Sequence, residues 1–416
     1  MLADDRPPIP DPRSLLLTFN TSGSNALALM LLVAASLLGR TLLELYRVDL
    51  GFNPDGLVIG RMSLTGTPDP GGLGVADFYE RTPERIRAMP GVLGAAVTSS
   101  VPVEQAINLP IVPPVGSLID QPRAVDWRYV TSGFFEMLGV QLKQGRLFDA
   151  SDTATSAPVV IVNEAFARTY FGAEPAVGRT LRLAFGEATD MEIVGVVADL
   201  RNASGAGWAG SGHALKQTAA PGMFVPATQG VPLLAGFGFD AQWLVRSRSA
   251  PAATASLVAD VVQTAEPRLP FVAFESMDEV IGAQIAQERA LFSLLAVFAG
   301  VALVLACIGT YGMMAYSVSA RSRDVGIRMA LGATASRVLT LFLHEGLLVV
   351  AAGSVVGLAG AFAVARGIRA YVWGMEPFDP VTFIGVVVVF VAVVMIAVAV
   401  PALRAARLHP ARVLRQ

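Results

Sequence analysis

The chain has 416 residues, of which 53% are hydrophobic and only 15% charged, with a formal net charge of -2 and a mean hydropathy of +0.56. Soluble domains average about 25% charged residues, so this composition excludes an ordinary soluble protein and points to the membrane. The balance of 31 basic against 33 acidic residues excludes the basic footprint of a nucleic-acid binder, and a single cysteine, Cys307, excludes a disulfide framework and a cysteine-based zinc site.

Taken in chain order, residues 1–14 form a short tail and residues 15–43 the first of four expected membrane-spanning helices. That span is less clean than the others, because NTSGSN (20–25) is polar and the solid apolar run covers only 26–38. A run of that length also suits a signal-peptide core, yet no small-x-small cleavage site follows it, so a retained helix is expected. The next span-length uncharged stretches lie between Arg289 and Arg321, Glu345 and Arg366, and Asp379 and Arg404. Each reaches at least the roughly 20 residues a spanning helix needs. They give helices at 290–318, 346–365 and 380–403.

Between the first two spans, residues 44–289 form one large domain. VIGRMSL (58–64) reads as a strand, 78–89 as a helix stopped by Pro90-Gly91, and LGAAVTSS (93–100) as a strand. WLVRS (243–247), 251–265 and FVAFE (271–275) repeat the pattern, so two βαβ units bracket the domain and form a split α/β layer. The intervening 101–240 holds short strands such as PVVIVN (158–163) and MEIVGVVAD (191–199), with Asn163 capping a helix. Its Gly-, Ala- and Ser-rich stretch 202–222 is expected to be a mobile loop. SMDE (276–279) is a capping box, and no breaker follows it, so one helix is expected from 277 to about 317, about 60 Å long. Its first part, 277–289, would stand out of the membrane as a stalk.

Arginine placement sets the orientation. The loop 319–345 carries Arg321, Arg323, Arg328 and Arg337 against Asp324 and Glu345, and the tail 404–416 carries four arginines and no acid. Both are expected in the cytoplasm, with the balanced loop 366–379 and the large domain outside. The interiors of the three clean spans hold no ionisable residue, which disfavours a proton- or ion-coupled carrier.

The segments 129–152 (YVTSGFFEMLGVQLKQGRLFDASD), 159–172 (VVIVNEAFARTYFG) and 192–201 (EIVGVVADLR) resemble the MacB-like periplasmic core. The segments 308–334 (IGTYGMMAYSVSARSRDVGIRMALGAT) and 401–415 (PALRAARLHPARVLR) resemble the FtsX-like permease domain of the same ABC transporter family. The resemblance covers the chain from about Leu27 onward and is closest to one half of the duplicated orphan permeases. It implies a membrane α-helical fold with four transmembrane helices plus an α+β extracytoplasmic domain, Porter-like over about 55–100 and 241–276 and β-rich and Sabre-like over about 101–240. It also implies an address in the bacterial plasma membrane.

The same resemblance makes Arg321, Arg323, Asp324, Gly326, Arg328, Ala330, Leu331 and Gly332 a coupling helix that docks on a cytoplasmic ATPase; the plainer reading is that the arginines only enforce topology. Gly353, Gly357 and Ala361 have the small-xxx-small spacing of close helix packing, within the chain or across a dimer. Cys307 reads as a small buried residue and His213 as a surface one. No catalytic set, metal site or cofactor site stands out, and the pattern GxxxxGK[ST] does not occur in the sequence, so ATP is expected to be hydrolysed on a partner. The implied function is that of a permease subunit for export or efflux, paired with a second copy or a homologous half, and with periplasmic or outer-membrane partners in reach. The alternative is an FtsX-like regulator that moves no substrate and controls a periplasmic partner.

Overall fold

The computed structural model describes residues 12–62, 73–185, 188–202, 215, 219–233, 241–266, 271–322, 327, 334–367 and 380–406. The chain divides into two compact units, Arg47–Ala286 and the combination of Met1–Tyr46 with Gln287–Gln416.

After helix α1 (Pro12–Tyr46), the first of these units runs β1 (Leu57–Met62), α2 (Leu73–Arg87), β2 (Val92–Thr98), β3 (Ile107–Val112), β4 (Arg123–Val130), α3 (Phe134–Leu138), β5 (Leu142–Gly145), β6 (Val159–Asn163), α4 (Glu164–Phe171), β7 (Thr180–Leu183) and β8 (Thr189–Val197). It continues with β9 (Gly222–Pro226), α5 (Ala227–Leu233), β10 (Ala241–Ser247), α6 (Pro251–Ala265), β11 (Phe271–Ser276) and α7 (Met277–Gln284). The order β11-β1-β10-β2 is antiparallel throughout. Each βαβ unit therefore places its first strand between the two strands of the other, which is the split βαβ arrangement. Helix α2 packs on β2 and α6 on β1, through buried Ala76, Tyr79, Ile86, Val258 and Val262. Helix α2 begins five residues before the expected 78 and carries Pro83 inside it.

Everything between β2 and β10 is inserted into that layer. Its strands close into a ring: β4 pairs β3, β3 pairs β7, β7 pairs β8, β8 pairs β6, β6 pairs β9, and β9 returns to β4 in parallel. Closure pairs each of these six strands on both sides. Alternate residues fill the inside, as a two-residue period requires: Leu109, Ile111, Val125, Trp127, Tyr129, Val160, Val162, Leu181, Leu183, Met191, Ile193, Met223 and Val225 are each at most 3% exposed. Strand β5 lies outside the ring on β8. There Gly145, at φ 75, has no room for a side chain, because a Cβ would fall 2.1 Å from the Val194 carbonyl oxygen.

Barrel and layer share one core. Phe78 meets Trp243 (ring centroids 5.5 Å apart), Trp243 meets Tyr79 (5.9 Å), Tyr79 meets Tyr129 (6.3 Å) and Tyr129 meets Trp127 (6.2 Å). This aromatic chain runs from the helix face of the layer into the barrel. Where the two meet, β2 and β4 share the pair Thr98↔Val130, reinforced by Thr131 N–H donating to the Val97 carbonyl at 3.0 Å and Val97 N–H donating to Thr131 Oγ1 at 2.8 Å.

The second unit is helical: α1, α8 (Ala286–Ala320), α9 (Ala335–Gly367) and α10 (Pro380–Ala406). Its four candidate spans are Phe19–Tyr46, Ala286–Ala320, Ser336–Gly367 and Pro380–Arg404. Helix α1 passes unbroken through NTSGSN, where Thr21 and Asn25 are buried, and Asn25 Oδ1 lies 3.3 Å from Thr310 Oγ1, whose hydroxyl donates to the Ala306 carbonyl at 2.7 Å. The single helix expected from 277 to 317 is interrupted. Helix α7 ends at Gln284, Ile285 leaves helical geometry at φ -108 and ψ 6, and α8 starts at Ala286. Residues 335–345, expected in a loop, form the first turns of α9.

Candidate functional site

Helices α1, α9 and α10 pack together around Ala28, Leu29, Val33, Val350, Ala361, Phe390 and Val394. Without a hydrophobic drive between helices in lipid, close approach depends on small residues, and α9 supplies them. A Cβ at Gly353 would meet Asn25 Cβ at 2.8 Å and the Ser22 carbonyl oxygen at 3.0 Å, and one at Gly357 would meet the Ala26 carbonyl oxygen at 2.9 Å. Ala361, one turn on, is buried in the same cluster. Spacing in the sequence missed Gly360, where a Cβ would fall 2.0 Å from Met30 Cε, and Gly346, where it would fall 2.5 Å from a Val398 methyl.

Helix α8 contrasts with these. Only 11% of its apolar window is buried, against 56% for α1, and Leu294, Val297, Phe298, Val301, Leu305 and Ile308 are exposed. Cys307 is half-buried. At the end of α8, the Arg321 guanidinium donates to Glu345 on α9, and Arg404 on α10 donates to the Tyr311 hydroxyl at 2.9 Å. These bonds tie α8 to α9 and to α10. Thr334 opens α9, its carbonyl accepting from Arg337 N–H at 3.0 Å. Of the expected docking residues, Arg321 is placed, whereas Arg323, Asp324, Gly326, Arg328, Ala330, Leu331 and Gly332 lie outside the described residues, as does His213. Ile327, in the segment between α8 and α9, is 43% exposed.

In the other unit, a charged cluster ties the barrel's entry loop to the strand that leads into α7. Arg61 on β1 donates to Glu104 at 2.6 and 3.2 Å and to Glu275 on β11 at 3.1 Å; its pKa is raised, chiefly by the Glu104 hydrogen bond. Gln242 on β10 donates to Glu104 Oε2 at 2.9 Å. From the barrel side, fully buried Arg128 donates to the Ser100 and Glu104 carbonyls at 3.1 and 3.2 Å, and burial lowers its pKa to about 10. The loop so gripped contains Val103 at φ 65, the one non-glycine residue with positive φ among those described. Such a conformation persists only where the surroundings over-determine it. Immediately after Glu275, Ser276 Oγ accepts from Glu279 N–H at 3.2 Å and the Glu279 carboxylate accepts from Ser276 N–H at 2.7 Å, which completes the expected capping box. Asn163, as expected, caps α4: its Oδ1 accepts from Phe166 N–H and Gly222 N–H at 2.9 Å each. Among the described residues, no group of His, Cys, Asp and Glu could hold a metal ion.

Four long apolar helices, with one large α/β and barrel domain between the first and the second, define a multi-pass membrane protein with a single big extramembrane domain. Residues 21–264 match the family model of the MacB-like periplasmic core domain and residues 296–410 that of the FtsX-like permease C-terminal. The chain belongs to the MacB/FtsX-type family of ABC transporter permeases, multi-pass proteins of the bacterial inner membrane with an extracytoplasmic domain.

Similar proteins include the macrolide export ATP-binding/permease protein MacB of Chromobacterium violaceum, 30% identical over 67% of this chain and 41% of that protein. The protein of the same name from Burkholderia pseudomallei is 28% identical over 80% and 50%, and the probable syringafactin export ATP-binding/permease protein SyfD of Pseudomonas syringae pv. tomato is 27% identical over 68% and 41%. The chain thus spans half or less of the length of these relatives. Among solved structures, the periplasmic region of MacB from Actinobacillus actinomycetemcomitans matches 55% of this chain and 92% of its own, at 13% identity and a TM-score of 0.36.

Proposed function

We propose that this permease couples ATP hydrolysis on a separate cytoplasmic ATPase to movement of the extracytoplasmic domain, for export or efflux of a substrate. The observation that carries the reading is the pair of bonds Arg321–Glu345 and Arg404–Tyr311, which tie α8 to α9 and to α10 next to a basic, glycine-containing segment. A push on that segment would be delivered to α8, the helix least engaged with the others, and α8 is continuous in sequence with α7 and the charged cluster at its start. The relatives named above carry "ATP-binding/permease" in their names, and the 416 residues here contain no GxxxxGK[ST] phosphate loop, which supports placing hydrolysis outside these 416 residues. The exposed face of α8 supports pairing with a second copy or a homologous half in a two-fold assembly. In this reading Arg321, Arg323, Asp324, Gly326, Arg328, Ala330, Leu331 and Gly332 form the docking segment, and residues 319–334 and the tail lie in the cytoplasm.

Two variants test it. Gly332→Leu blocks close approach and Asp324→Arg inverts a charge, and neither alters an apolar span. Both are expected to insert normally and to lose function, with ATP hydrolysis either absent or no longer stimulated by the permease. Full activity of both in a well-expressed protein returns the arginines to the role of a topology signal.

A further inference from the structure

At the rim of the barrel, the β4–β9 ladder begins at Asp126↔Gly222, which leaves residues 123–125 of β4 ahead of it. A cavity of about 440 Å³ opens there, lined in part by Asn108, Arg123, Asp126, Thr169, Tyr170 and Pro221. Its volume falls within the range of about 300–1,000 Å³ usual for small-molecule sites. Asp126 is the anomaly. It is 1% exposed, its Oδ2 is sealed from solvent and has no hydrogen-bond partner, and burial raises its pKa, with Arg128 pulling the other way. Arg128 does not satisfy it, because that guanidinium bonds to the carbonyls of Ser100 and Glu104.

A fold gains nothing from a buried carboxyl oxygen left without a partner, whereas binding sites retain such groups against stability. Arg123 at the mouth is exposed and close enough to Tyr170 to oppose the upward push of burial on its phenol. The site therefore offers a buried carboxyl at its floor, a guanidinium at its mouth from three residues earlier on the same strand, and apolar walls from Tyr170 and Pro221. We infer that this cavity binds a small zwitterion, its ammonium group on Asp126 and its acidic group on Arg123, as an amino acid or the end of a short peptide would present them.

The inference stands apart from ATPase docking, and it is tested with the full chain in lipid nanodiscs by calorimetric titration. The probes are L-phenylalanine, the tripeptide Phe-Gly-Gly, phenethylamine and 3-phenylpropanoate. At least one of the first two is expected to bind tenfold or more tightly than both one-ended analogues, and their relative affinity separates a free amino acid from a peptide end. Asp126→Asn is expected to weaken that binding at least tenfold while leaving the melting temperature unchanged or raised, the opposite of what a purely structural carboxylate would give. Arg123→Ala, at an exposed position, is expected to reduce the zwitterion to the affinity of the amine. Equal binding of all four probes, binding of none, or wild-type affinity in both variants overturns the inference.

Discussion

The two units bury their residues by opposite logic. In Arg47–Ala286, water drives large side chains inward, and a barrel and an α/β layer end in one aromatic core around Trp243, Tyr79, Tyr129 and Trp127. In the helical unit the surroundings are as apolar as the side chains, so contact depends on the absence of side chains: Gly353, Gly357 and Gly360 lie against the backbone and side chains of α1, while the leucines and valines of α8 face outward. The lesson is that the same residue type carries opposite meaning in the two halves. A glycine on α9 is a packing residue, and an exposed leucine on α8 packs on nothing within the chain.

The sharpest way to break this contrast is Trp243→Ala. Removing a fully buried indole is expected to cost about 3–5 kcal/mol, and, because the core is shared, barrel and layer are expected to lose protection together in hydrogen exchange. Protection retained in β6 and β8 while β1 and β10 open would show two separate cores. Next in size is Gly357→Leu. The Ala26 carbonyl oxygen stands 2.9 Å from its Cβ position and cannot move without its helix, so overpacking is expected to cost about 1–3 kcal/mol, read as a lower melting temperature in nanodiscs. Gly309→Leu on α8, where a Cβ meets nothing within 4 Å, is expected to stay within about 0.5 kcal/mol of the parent. Equal effects at the two positions would erase the distinction between α9 and α8.

The smallest effect is a pH slope. Asp126 has its folded pKa raised by burial, so between the ordinary carboxylate value and that raised value the folded state binds more protons than the unfolded. Stability then falls as pH rises through that window. Urea titrations across it are expected to show this slope in the parent and a shallower one in Asp126→Asn.

Much of this was legible in the sequence, because it rests on local patterns. The capping box at Ser276 and Glu279, the cap at Asn163, the strand–helix–strand repeats and the three clean spans each depend on residues near one another in the chain. What was not legible depends on partners far away. NTSGSN looked like a weak start to α1 because inward-facing Asn25 finds Thr310 some 285 positions later. Closure of the barrel rests on β9, whose five residues lie at the edge of the Gly-rich stretch. The break at Ile285 had no proline to announce it, and Gly282 is the one glycine close before it. Gly360 lies off the four-residue spacing of its neighbours, and the orphan carboxyl of Asp126 becomes visible only when its surroundings are assembled.

The most direct test of coupling through the segment between α8 and α9 is a photo-crosslinking amino acid at Ile327 in living cells, with the same probe at Leu118, which is 69% exposed on the barrel unit, as the control. The expected result is an adduct between the Ile327 probe and a polypeptide that mass spectrometry identifies as an ABC ATPase, absent from the Leu118 protein. A well-expressed Ile327 protein that forms no such adduct, or whose position 327 reacts with a membrane-impermeant reagent added outside the cell, would contradict it.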